Sequence, residues 1–144
     1  MPGNVVNEGP LSRRLRTRGW PMTPQRAAVV AVLDEEHGHA SAETVHAAVR
    51  RAGGRVSLAT VYNTLTALAA MGELRELRAG RGPTLFDVNA LPHHHLVCDE
   101  CGRIIDIDAA VARGVRLPDD QADGFEVRSV DVVFHGRCSA CAGR

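Results

Sequence analysis

Two Cys-x-x-Cys pairs, Cys98/Cys101 and Cys138/Cys141, stand 36 residues apart with no cysteine between them. Each pair makes a tight turn that aims two thiolates at one point. Two such knuckles complete a tetrahedral S4 shell, which suits Zn2+. A closed shell leaves no open ligand position, so the site reads as structural. It would fasten the tail of the chain to the start of the second half, and in a small domain that bond can decide folding. Rubredoxin-like iron and a thiol redox switch are the alternatives to zinc.

Just ahead of the first knuckle comes His93-His94-His95. On an extended strand His93 and His95 point to one side and His94 to the other. Carboxylates flank the run at Asp87 and Asp106, and His39 lies in the N-terminal half. Imidazoles mixed with carboxylates suit Fe2+, Mn2+ or Zn2+, so this set and the thiolate set prefer different metals. His37, His46 and His135 read as surface or core filler. One alternative for the mixed set is a metallohydrolase whose zinc-bound water is held by His93, His95 and a carboxylate. No general base or substrate pocket is legible to support it, and the chain is expected not to be an enzyme. A zinc-stabilised interaction module with no DNA role is the other alternative.

The elements that must position these groups fit into 144 residues, enough for one domain or two small ones. Hydrophobic residues make up 44% and aromatics 3%, so the core must be aliphatic. All 17 basic residues are arginine, and 17 acids balance them to a net charge of zero. The chain as a whole is therefore no polycation. Its charge is uneven, however: "LSRRLRTRGW" carries Arg13, Arg14, Arg16 and Arg18 and no acid. Such a face is compatible with nucleic acid and equally with a solvated helix. No apolar run reaches the roughly 20 residues of a membrane span, and the first ten residues lack the apolar stretch of a signal peptide. The expected location is cytoplasmic, where thiols stay reduced and paired cysteines favour metal over disulfide.

Residues 1–10 read as a flexible arm. Four helices follow: one from Leu11 to a stop at Gly19, one capped by Thr23 with Pro24 first, one capped by Ser41, and one after Ser57. In the second, Ala28, Val29, Val32 and Leu33 form an apolar stripe. In the fourth, Leu58, Val61, Leu65 and Leu68 should face the core, leaving Thr60, Tyr62, Asn63 and Thr66 on other faces. "ELRELRA" and "PTLFDVN", joined by "GRG", read as a hairpin. Three helices, a fourth with polar reader residues, then a hairpin resembles a winged helix-turn-helix, spanning 11–89; an ordinary helical bundle with a wet polar face is the alternative. Residues 90–92 read as a hinge. Residues 93–144 read as a small α/β domain with strands in "HHLVC" and "RIIDID", a weak helix in "AAVARGV" and a long strand in "GFEVRSVDVVFHGRC". Such a domain buries little core alone, and pairing with a second copy would complete it.

These residues together resemble the ferric uptake regulator family of metal-dependent repressors. The likeness runs from about Leu11 to Cys141 and is carried by "TPQR" (Thr23–Arg26), "HASAETVHAAV" (His39–Val49), "SLATVYNTLTALAAMGEL" (Ser57–Leu74), "HHHLVCDECG" (His93–Gly102) and "GRCSAC" (Gly136–Cys141). The resemblance implies an α+β fold: an N-terminal winged helix, then a C-terminal α/β dimerisation domain with the four-cysteine zinc site. It is strongest to the peroxide-sensing branch. That branch places Fe2+ or Mn2+ ligands at the positions of His39, Asp87, His93, His95 and Asp106. Iron-sensing members usually carry Glu at the positions of Asp87 and Asp106, and tend to carry Arg at that of Asn63. Near Val130 many members have a histidine for a further metal site; here Ser129 and Val130 make that site doubtful.

The resemblance further implies a homodimer on a double-stranded operator. Arg14, Arg16 and Arg18 of the first helix and arginines of the wing would meet phosphates, while Thr60, Tyr62, Asn63 and Thr66 would line the reader helix. H2O2 would be the signal, oxidising His39 or His93 at a ferrous centre. An iron- or zinc-responsive repressor of the same family differs from this only in its signal.

Overall fold

Hydroxyl side chains set the starts of three helices. The computed structural model describes residues 8–36, 38–78, 82–89 and 91–144. In helix α2 (Pro24–Glu35) the Thr23 side chain accepts the Arg26 N–H, in α3 (Ala42–Arg51) Ser41 accepts from Thr44, and in α4 (Leu58–Ala70) Ser57 accepts from Thr60. Each bond satisfies one of the amides a helix start leaves unpaired. Helix α1 (Pro10–Thr17) starts at Pro10, one residue ahead of the expected Leu11, so Pro10 belongs to the helix and not to the arm. It has no cap of its own. Its amides at Leu11 and Ser12 bond instead to the Asp34 carboxylate of α2, at 2.7 and 3.1 Å. A Cβ on Gly9 would collide with that carboxylate, so glycine is required there.

The aliphatic core forms where the apolar stripes meet: Leu11 and Leu15 of α1, Val29, Val30 and Leu33 of α2, Val45 and Val49 of α3, and Val61, Leu65 and Leu68 of α4. Ala28 packs half-buried at its edge. Leu58, expected in the core, is 36% exposed, because the first turn of α4 projects past the packing. Thr64 is buried instead, its hydroxyl donating back to the Thr60 carbonyl.

Strands β2 (Arg75–Leu77) and β3 (Leu85–Asp87) pair antiparallel as the expected hairpin, with Arg75 opposite Asp87 and Leu77 opposite Leu85. A third strand, β1 (His39–Ser41), has no signal in the sequence. It pairs with the other edge of β3, placing His39 opposite Asp87.

In the second half, β4 (His93–Cys98) is central. It pairs antiparallel with β5 (Ile104–Asp108) and parallel with β6 (Val133–Gly136), and α5 (Ser139–Ala142) follows. The expected weak helix is a 3-10 turn, Ala109–Ala112, capped by Asp108. The expected long strand is confined to β6. Residues 125–131 lie largely exposed with no ladder partner among the described residues, and an unpaired extended segment is not held as a strand. Register sorts the sheet into two faces. His93, His95, Val97 and Asp106 share one; Ile105, Leu96 and Phe134 form a row on the other and are 41%, 37% and 41% exposed.

The chain divides into two compact units, one reaching Arg78 and resuming from Pro83, the other running from Leu91 to Arg144. The architecture is α+β, a winged helix-turn-helix unit and a small α/β unit with a four-cysteine cluster. Among the described residues no helix is long and apolar enough to cross a membrane. The arm before Glu8, His37, the hairpin tip at 79–81 and Ala90 of the hinge lie outside the described residues.

Candidate metal centres and reader helix

The two cysteine knuckles converge. One Sγ from each of Cys98, Cys101, Cys138 and Cys141 lies within 4.8 Å of the others. The Cys101–Cys138 separation is 3.8 Å, and a tetrahedron with Zn–S of about 2.3 Å has edges of about 3.8 Å. Donor chemistry and spacing both fit zinc. Register makes this meeting: Cys98 ends β4 and its parallel partner β6 leads directly into Cys138. Side chains reinforce it. His135 Nδ1 lies 2.9 Å from Asp99 Oδ1, Arg137 Nε lies 2.6 Å from Glu100 Oε1, and the Cys138 N–H points at Cys98 Sγ from 3.3 Å. Backbone amides, first that of Cys101 and then that of Cys138, hold the Cys98 thiol down to about 6. Cys141 is pushed the other way, chiefly by its bond with Cys138. A cluster that favours one thiolate and resists the next calls for a cation to hold all four charges.

The N-terminal unit carries a smaller ligand set. His39 Nε2 and Asp87 Oδ2 face each other across β1 and β3 at 3.1 Å, and the other Asp87 oxygen accepts the Asn89 N–H at 2.8 Å. Asp87 is 1% exposed. The C-terminal unit carries His93, His95 and Asp106. Asp106 sits opposite His95 and diagonal to His93, so its Oδ1 is 3.6 Å from His93 Nε2 and 3.7 Å from His95 Nε2. The His93 Nδ1 is 2.7 Å from the Leu91 carbonyl. A carbonyl only accepts, so Nδ1 carries the proton and Nε2 offers its lone pair to an ion. His94 faces the other side of the sheet, where its Nδ1 accepts the Val132 N–H. This explains the odd histidine: it ties β4 to the run before β6. Each set holds nitrogen and oxygen donors, suited to Fe2+, Mn2+ or Zn2+.

On α4, Tyr62, Asn63 and Thr66 lie exposed on one stripe, as the periodicity predicts. Thr60 differs. It is half-buried, and its hydroxyl accepts from Ser57 at 2.9 Å, turning it towards the cap. The Tyr62 hydroxyl donates to Glu43 Oε1 of α3 at 2.8 Å, a contact with no sequence signal.

The arginines of α1 have acidic partners. Arg14 and Arg18 each reach Glu73 at 2.7 Å, and Arg16 reaches Glu8 at 2.8 Å. Glu73 is buried just past the end of α4. Burial pushes its carboxyl up, but the two guanidiniums outweigh burial and hold it below the ordinary value. Arg14 and Arg18 thus tie α1 to the base of the wing, each with its side chain still about half exposed. His46 bonds the Val56 carbonyl at 3.0 Å, in keeping with a structural histidine.

Known proteins resemble this chain in sequence and in fold. A profile of the ferric uptake regulator family matches residues 17–135. The ferric uptake regulation protein of Bacillus subtilis (strain 168) is 33% identical, over 93% of each chain. The peroxide-responsive repressor PerR of Staphylococcus epidermidis is 31% identical, over 88% of this chain and 85% of its own. The solved structure of the ferric uptake regulator from Pseudomonas aeruginosa with manganese superposes with a TM-score of 0.69 at 31% identity, covering 88% of this chain and 96% of that one. On the family match and the shared fold together, this chain is a member of the ferric uptake regulator family.

Proposed function

We propose that the protein is a homodimeric, metal-dependent transcriptional repressor that binds an operator duplex and releases it when peroxide oxidises its own ligands. One observation carries the reading: each unit presents an incomplete ligand set on neighbouring strands, two groups in the first and three in the second. A single ion taking His39, Asp87, His93, His95 and Asp106 binds one arrangement of the units better than any other, and so shifts the population towards it. His39 sits two residues ahead of the Ser41 cap of α3, so its position passes directly into the helix-turn-helix. Tyr62, Asn63 and Thr66 then enter the major groove, twice per dimer. The second copy covers the Ile105–Leu96–Phe134 row and Phe125, which is 77% exposed.

The short side chains of Asp87 and Asp106 and the similarity to PerR support peroxide as the signal. Ferrous iron held by the five residues would supply the redox chemistry that opens H2O2 next to the imidazoles, the two electrons that reduce the peroxide coming in the end from the oxidised ring. In the net change His39 or His93 gains one oxygen as 2-oxo-histidine and water leaves. The altered ring is a poorer ligand, and the repressor pose is lost. The protein is consumed as a reagent and is not turned over, so it is no enzyme. Manganese in the same place supports DNA binding without that oxidation.

The test loads the zinc-containing full chain with Fe2+ or with Mn2+, adds peroxide, and follows mass and gel shift on a fragment of its own promoter. The ferrous form is expected to gain oxygen on His39 or His93 and release the duplex; the manganous form does neither. A ferrous form that gains no oxygen is an iron- or zinc-responsive repressor of the family. A chain that shifts no fragment with any metal is not a repressor of that promoter.

A further inference from the structure

If the α1 arginines are engaged by acids, the uncharged stripe of α4 needs its phosphate anchors elsewhere. In the N-terminal unit the arginines are otherwise occupied almost throughout. Besides Arg14, Arg16 and Arg18, Arg26 stacks on Trp20 at 4.4 Å, Arg78 pairs with Glu76, and Arg13 donates to the Glu8 carbonyl. Among the described residues of this unit, Arg50, Arg51 and Arg55 carry no such partner, and all three are exposed. They fall within six residues, at the turn that joins α3 to α4.

That turn is built to one shape. Gly53 has φ +84°, in the left-handed region that glycine tolerates, and its N–H bonds back to the Arg50 carbonyl. The Gly54 N–H bonds to the Val49 carbonyl, and a Cβ there would stand 2.7 Å from Val49 Cγ1. Two of the guanidiniums therefore spring from the last turn of α3 and the third from a defined loop whose far end is the Ser57 cap of the reader helix. No acid occurs from Thr44 to Gly72, and the preceding one, Glu43, is held by Tyr62. The chain from Thr44 to Gly72 therefore carries formal charge of one sign only.

We propose that Arg50, Arg51 and Arg55 form the phosphate clamp that seats α4 in the groove, in place of the arginines of α1. This rests on the DNA-binding reading above. Phosphate contacts fix register and carry no sequence information, so the clamp acts alike on operator and mixed-sequence duplex. Removing one arginine–phosphate pair lowers the slope of log affinity against log salt by about 0.9.

The experiment measures anisotropy of the Mn2+-loaded full chain on its promoter fragment and on a mixed-sequence duplex, across a salt series. Arg55→Gln is expected to reduce the salt slope by about one per protomer on both duplexes. Arg55→Lys, which keeps the charge, should keep the slope, and the Arg50→Gln/Arg51→Gln/Arg55→Gln triple should reduce it further. Arg116→Gln, in the other unit, serves as the charge control. Thermal midpoints confirm that the variants fold. An unchanged slope in the folded triple variant, with wild-type binding intact, overturns the clamp and leaves DNA binding standing. An equal fall in Arg116→Gln overturns it too, as a bulk charge effect. A wild-type chain that binds neither duplex sinks the DNA reading and the clamp together.

Discussion

Tyr62 donates its phenolic hydrogen to Glu43 Oε1 at 2.8 Å, joining the exposed stripe of α4 to the first turn of α3. The bond holds the Tyr62 hydroxyl above its ordinary value. Glu43 is held below its own, first by a backbone N–H and then by Tyr62. The ring is thereby presented in one pose, its hydroxyl hydrogen already used.

Replacing Tyr62 with Ala should weaken operator binding by about tenfold or more, the size of effect expected when a side chain stops touching a base, and leave metal content unchanged. Tyr62→Phe keeps the ring but frees Glu43, and should give a smaller loss. Gel shifts with metal analysis on the same samples read both. Operator affinity equal to wild type in Tyr62→Ala refutes the assigned role.

Glu73→Gln removes a buried charge that Arg14 and Arg18 hold from two sides. Charge-assisted bonds of this kind contribute about 1–3 kcal/mol, less here because both arginines are half exposed. The folded-state value of Glu73 is depressed. Its contribution is therefore present above the unfolded value of about 4.3 and is lost as pH falls through the lower folded value. Urea midpoints should show the variant weaker than wild type at neutral pH, and the gap closing below about pH 4. A gap that persists undiminished in acid would mean that packing, not charge, is responsible.

We expect zinc in the knuckles to carry the folding of the C-terminal unit, where few of the described apolar side chains are buried. Stripping zinc with a strong chelator, or Cys98→Ser, should abolish the β4–β6 pairing, seen as lost strand signal in circular dichroism. Asp99→Asn with Glu100→Gln removes the two side-chain straps across the knuckles while sparing every thiol. It should speed zinc transfer to a chromogenic chelator by about tenfold, the range for groups that orient metal ligands. Transfer at the wild-type rate would show the straps to be idle.

His39→Ala and Asp106→Asn change different units, yet both should weaken Mn2+ binding by about 10–100-fold, as expected when one donor leaves an N/O set. Zinc content should stay the same in each. Titration calorimetry gives affinity and stoichiometry together. Full Mn2+ affinity in either variant would rule out one ion shared by the five residues.

The features legible in the sequence were those with short-range causes. Thr23, Ser41 and Ser57 could be read as caps because a cap bonds an amide only three residues ahead, and the stripes Val29/Leu33 and Val61/Leu65/Leu68 because helical period is local. The cysteine spacing implied a knuckle pair for the same reason. Partners distant along the chain were not legible. Asp34 capping α1, Glu73 drawing in Arg14 and Arg18, Glu43 taking the Tyr62 hydroxyl, and β1 setting His39 against Asp87 all depend on which elements packing brings together. Charge near the N-terminus suggested phosphate contacts, but only tertiary structure could show that Glu73 and Glu8 also pair with those arginines. Alternating apolar residues from Phe125 onward suggested one long strand; a strand also needs a neighbour's backbone, and among the described residues β4 supplies one only from Val132 onward. Residue chemistry thus determined which groups could bind metal or cap a helix, while packing decided which of them meet.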